Sequence, residues 1–172
     1  MLEASVFVIF PFCMAFAAVS DMVSMTIANR ISLILVAAFV VLAPLTGMPW
    51  LAVGMHLAAG MAVLTVTFTL FAIGGMGGGD AKLMAATAVW FGFGIGLADY
   101  LVTSALAGGA LTLALLMFRK SPLAMLAGNN TLLRHFADEK AGIPYGVALG
   151  LGGLLAYGES PLMQWALARL AG

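Results

Sequence analysis

Apolar residues come in long unbroken runs along this chain, and polar residues are confined to short breaks between them. A helix that crosses a membrane needs about 20 mainly apolar residues, and six runs approach that length. The pattern predicts spans over residues 4–20, 31–46, 50–73, 81–98, 101–118 and 143–158. Asp21 closes the first, Gly47-Met48-Pro49 parts the second from the third, and Trp50 opens the third as an interfacial aromatic. Asp99-Tyr100 reads as a tight hairpin between the fourth and fifth, and Gly158-Glu159-Ser160-Pro161 weakens the sixth. Residues 162–170 either lie along the interface or continue the last helix past a kink. The longest polar stretch, residues 119–142, holds Leu132, Leu133 and Phe136 at helical spacing beside Arg134, His135 and Lys140. That pattern predicts a short helix on the membrane surface. With no repeat and no second domain, the expectation is one all-α, six-span membrane domain over residues 1–172.

Composition supports a membrane as solvent. The chain is 63% hydrophobic and 8% charged, against about 25% charged residues in an ordinary soluble domain. A net charge of zero removes the electrostatic case for nucleic-acid binding. The basic residues set the orientation. With the N-terminus outside, Arg30, Lys82, Arg119, Lys120, Arg134 and Lys140 all face the cytoplasm and Arg169 alone lies outside. That asymmetry is the one the positive-inside rule predicts, so both termini are expected on the outer, periplasmic side. The N-terminal run lacks a basic flank and carries Glu3, so it is expected to be a retained span, not a cleaved signal.

Ionisable residues beside membrane spans are costly and mark candidate function. Asp21 ends the first span and Asp80 begins the fourth, with two complete crossings between them, so both carboxylates return to the cytoplasmic side. Either one alone has a structural alternative. Asp21 can be a solvated residue after a helix, and Asp80 an N-cap that also complements the helix dipole. The other chemistry-bearing residues point elsewhere. His56 and His135 fall on opposite sides, Cys13 is a lone packing cysteine, and the twelve methionines are dispersed, so no metal site or cofactor is expected.

The stretch before Asp80, Gly74-Gly75-Met76-Gly77-Gly78-Gly79, narrows the reading. Gly77-Gly78-Gly79-Asp80 fits the GxGD pattern of intramembrane aspartyl proteases, and GGGDAKL resembles the form found in type IV prepilin peptidases. Asp21 matches that family's first aspartate, and Pro144-Tyr145-Gly146 resembles its third recurring motif. After Asp21 the chain keeps Ile27, Asn29 and Arg30 but lacks the proline that relatives often carry. It also lacks the paired CxxC insertion of the larger bifunctional members, and so resembles the short, peptidase-only branch serving Flp/Tad-type pili.

The resemblance implies an aspartic endopeptidase of the bacterial inner membrane. It would remove the leader of type IV prepilins and pseudopilins after a glycine, at the cytoplasmic face, without a cofactor. Asp21 and Asp80 would be the catalytic pair, one ionised and one protonated, with the order left open. Gly77 and Gly79 would make room for an extended peptide, whereas Gly74 and Gly75 would only end a span. Lys82 either anchors a helix at lipid headgroups or contacts substrate. Asn29, Arg30, Pro144, Tyr145 and Gly146 would shape the site. The rival from another class is a small proton-coupled transporter or channel using the same-sided aspartates; its expected inverted repeat is missing from the sequence.

Overall fold

Glycine and proline punctuate the helices. The computed structural model describes residues 1–122 and 142–171, which form α1 (Leu2–Ser24), α2 (Asn29–Leu45), α3 (Trp50–Ala72), α4 (Gly78–Phe91), α5 (Ile95–Arg119), α6 (Tyr145–Ala156) and α7 (Pro161–Ala171). A single 3₁₀ turn, Tyr157–Glu159, joins the last two. No strand occurs among the described residues. The expected surface helix at Thr131–Lys140, with Arg134, His135 and Lys140, lies outside them.

The end of α3 follows from its glycines. Gly74 sits at φ +79°, where a side chain would be strained. Its N–H donates to Phe71 O at 3.0 Å and that of Gly75 to Leu70 O at 2.8 Å. This paired return is a Schellman stop, so Gly74 and Gly75 do end the helix.

Two expected boundaries are corrected. The break after α4 falls at Gly92-Phe93-Gly94, not at Asp99-Tyr100, because Gly92 turns the backbone at φ +65°. Asp99 and Tyr100 instead lie in the first turns of α5, where Tyr100 is fully buried and stacks on Phe91 at 5.5 Å. At the other end of the chain's first helix, α1 runs on to Ser24, so Asp21 is inside the helix and does not close it. The left-handed Met25 provides the stop, its N–H returning to Asp21 O at 2.8 Å.

Long and short helices alternate. α1, α3 and α5 have 23, 23 and 25 residues and are long and apolar enough to cross a membrane. α2, α4 and α6 have 17, 14 and 12. At 1.5 Å per residue, α4 and α6 reach only about 21 and 18 Å, less than the roughly 30 Å of a bilayer core. The short helices make the centre. In α4 nine residues are buried, Trp90 and Phe91 among them, and α6 buries seven of its twelve. α6 lies between α1 and α5, where Gly150 comes so close to Met14 O that a Cβ would stand 2.9 Å from it. α7 continues past the turn and packs on α1 through the buried Leu162 and Ala166. The exposed faces of the long helices carry Val8, Phe12, Phe68, Leu106 and Leu113, as a lipid solvent requires.

Candidate active site

Asp21 lies one turn from the end of α1 and is 5% exposed. A carboxylate taken out of solvent needs donors, and the backbone supplies one from 125 residues away. The Gly146 N–H, in the first turn of α6, donates to Asp21 Oδ2 at 2.7 Å. Only glycine fits there. A Cβ at position 146 would stand 2.8 Å from Asp21 Cβ and 2.8 Å from Ile27 Cδ1.

Asp80 is the third residue of α4 and half-buried. It is not the N-cap; Gly77 holds that position in extended backbone. The Gly77 amide faces the Asp80 carboxylate, and a Cβ on Gly77 would stand 2.7 Å from Asp80 Oδ2. Gly79 meets the α1–α2 connection in the same manner, with Ile27 Cβ at 3.2 Å from where its own Cβ would be. Both glycines therefore make room for atoms of this chain. On the other side, Thr67 Oγ1 of α3 donates to Ala81 O at 3.3 Å and ties down the start of α4.

Ile27 joins the two halves. Buried in the α1–α2 connection, it touches the positions of Gly79 and Gly146 and so sits between the segments that bear Asp80 and hold Asp21. The carboxylates are within electrostatic reach of each other. The starts of α4 and α6 both face this pair, and the positive ends of their dipoles offset part of the cost of gathering negative charge. The resemblance after Asp21 marks Ile27, but it is not among the expected site residues, since one apolar residue in a short connection carries no chemistry of its own.

The remaining expected residues divide into two groups. Lys82 Nζ donates to Asn29 Oδ1 at 3.0 Å, which links the first turns of α2 and α4 beside the carboxylates. Pro144 is buried as the N-cap of α6, and the Tyr145 ring packs against Gly108 of α5. Arg30 points away. It lines a shallow cleft between α1 and α2 with Phe12, Phe16 and Ile34. His56 is a packing residue, with Nδ1 2.8 Å from Val89 O and its ring stacked on Phe39. Among the described residues no three His, Cys, Asp or Glu side chains gather to hold a metal ion.

This constellation brings two carboxylates, three helix starts and a lysine without a carboxylate partner among the described residues to one end of an apolar bundle. No curated protein and no solved structure matches the chain. The profile of the type IV leader peptidase family matches residues 8–127, a stretch that contains both aspartates and the glycine run but stops short of Gly146. With more than two thirds of its length matched, the chain belongs to the type IV leader peptidase family and is a membrane-embedded peptidase.

Proposed function

We propose that Asp21 and Asp80 are the catalytic dyad of an aspartic endopeptidase that removes the leader of Flp-type prepilins and pseudopilins after its terminal glycine. The observation that carries the reading is the convergence on the buried Ile27 of the segments that bear and hold these two acids, 59 positions apart, with Gly146 bonded to Asp21. Neighbouring carboxylates share a proton because both cannot ionise cheaply. The ionised partner takes a proton from water, and the water oxygen bonds the scissile carbonyl carbon. The protonated partner donates to the carbonyl oxygen as charge develops there. Collapse of the adduct breaks the C–N bond, and the amine leaves with a proton.

In this reading the chain crosses the bacterial inner membrane six times as a single domain, with both termini periplasmic and the dyad at the cytoplasmic face. The clustering of Arg30, Lys82 and Arg119 toward the dyad's end of the helices supports that orientation. The short α2, α4 and α6 would set the dyad below the ends of the long helices, within reach of a peptide emerging from the bilayer.

Co-expression of a Flp-type prepilin with the wild type, Asp21→Asn and Asp80→Asn tests the proposal by following leader removal. Processing by the wild type and by neither variant is the expected result. Processing by both variants would refute an aspartic mechanism, and proton-coupled flux in liposomes with uncut prepilin would favour a transporter.

A further inference from the structure

α2 and α3 both pack on α4 but touch each other little. Between them lies a groove of about 640 Å³ that no step above uses. Leu33 on α2 and Leu57, Met61 and Leu64 on α3 form its walls, and Ala85 and Ala86 of α4 form its floor. At the carboxylate end the lining turns polar, with Asn29, Ser32 and Lys82.

Ser32 is the informative residue. Hydroxyls within apolar helices ordinarily return to the carbonyl one turn earlier, as Thr65, Thr69 and Thr112 do at 2.9, 2.8 and 2.7 Å. Ser32 does not. It is 9% exposed, and its Oγ has no hydrogen-bond partner among the described residues. Lys82 is similarly underused, since its bond to Asn29 engages one of three ammonium donors and no carboxylate pairs with it among the described residues. Among the described residues Lys82, two residues from Asp80, thus keeps unused donors at the polar end of an apolar groove, and the buried Ser32 hydroxyl lies unpartnered beside it.

We infer that this groove seats the apolar transmembrane helix of the protein substrate, and that Ser32, Asn29 and Lys82 hold the part of it that unwinds toward Asp21 and Asp80. The inference rests on the peptidase reading above. A peptide has to be extended where it is cut, and unwinding in an apolar medium strips carbonyls and amides of their helical partners. Ser32 and Lys82 supply donors for the freed carbonyls, and the Asn29 amide supplies both kinds of partner. The small floor residues let a helix backbone come close, as at other membrane helix contacts. A lipid chain would fill the apolar walls but leave Ser32 unsatisfied. A second copy of this chain would bring apolar helix faces whose backbone is already bonded.

Cross-linking tests the seat directly. Cysteines at Leu57 or Leu64, in a Cys13→Ala, Asp80→Asn background that keeps substrate intact, are paired with cysteines along the apolar helix of a Flp-type prepilin in proteoliposomes. Disulfides are expected along one face of the substrate helix, and not with a cysteine at the exposed Leu113 of α5. Cross-links between two copies without prepilin would overturn the inference, as would labelling of position 57 by a photoreactive lipid that prepilin fails to reduce.

Kinetics separates the groove from the dyad. Leu57→Trp with Met61→Trp is expected to weaken processing of the full prepilin about tenfold through KM. A short soluble peptide spanning leader and cut site should be cleaved at the wild-type rate. Equal loss on both substrates would overturn the groove. Ser32→Ala is expected to lower kcat on the full prepilin about tenfold without lowering the melting temperature, because it removes an unpaired buried hydroxyl. An unchanged kcat would overturn the polar hold. Full activity of Asp21→Asn or Asp80→Asn is a different result, and it would strike the dyad itself.

Discussion

The two ends of the bundle are built from opposite materials. At one end Phe10 stacks on Tyr157 at 4.2 Å and leans on Trp90 at 5.1 Å, with Phe91 and Tyr100 beside them. There Trp90 Nε1 donates to Leu35 O at 3.0 Å and Tyr157 Oη to Val6 O at 2.7 Å. At the other end Gly77 and Gly146 meet the two carboxylates, Gly79 meets Ile27, and Ser32 and Lys82 keep donors unpaired among the described residues. Large rings close one end and fix the register of α1, α2 and α4. That rigidity lets the opposite end hold backbone against carboxylate with no side chains between. Under the proposed function, stability and chemistry fall to different ends of the same helices.

Substitutions at the two ends should separate these duties. Asp21→Asn or Asp80→Asn is expected to lower prepilin cleavage about 10⁴-fold, while the melting temperature in detergent stays near that of the wild type. Trp90→Ala should do the reverse. It removes the largest buried side chain at the aromatic end and should cost about 3–5 kcal/mol of stability, read as a lowered melting temperature, with the fraction still folded cleaving normally.

Gly146→Ala sharpens the comparison, because its Cβ would collide with Asp21 and Ile27. Displacement of a catalytic group by about 1 Å costs about 10²-fold in rate, so kcat should fall by that order with KM little changed. A wild-type rate would mean that the bond from Gly146 to Asp21 does no positioning. The smallest effect is expected at Arg30, which points into the cleft between α1 and α2. An exposed substitution away from the site shifts energies by about 0.5 kcal/mol, so Arg30→Gln should leave leader removal within about threefold of wild type.

The carboxylate end was partly legible in the sequence. The run of glycines before Asp80 and the even number of apolar segments between the two acids both pointed there. What escaped was whatever depends on distant parts of the chain meeting. Gly146 entered the expected site only through the resemblance of Pro144-Tyr145-Gly146, and no spacing rule foretells that its amide bonds a carboxylate 125 positions away. Ser32 reads as an ordinary helical serine until its surroundings show the missing partner. The aromatic end misled more strongly. Asp99-Tyr100 has the look of a polar hairpin, yet burial of Tyr100 against Phe91 draws it into α5, and the less conspicuous Gly92 makes the turn. Local polarity loses to tertiary packing at that boundary. The charged segment at residues 131–140, which predicts a surface helix, lies outside the described residues.

The central claim is that Asp21 and Asp80 act as one unit. Its most direct measurement is a double-variant cycle on leader removal by the purified enzyme in proteoliposomes, with Asp21→Asn, Asp80→Asn and both together. Groups that act as a unit lose nearly everything with the first change, so the double variant should cleave no more slowly than either single one. Losses that multiply, or a single variant that still cleaves at the wild-type rate, would contradict the dyad.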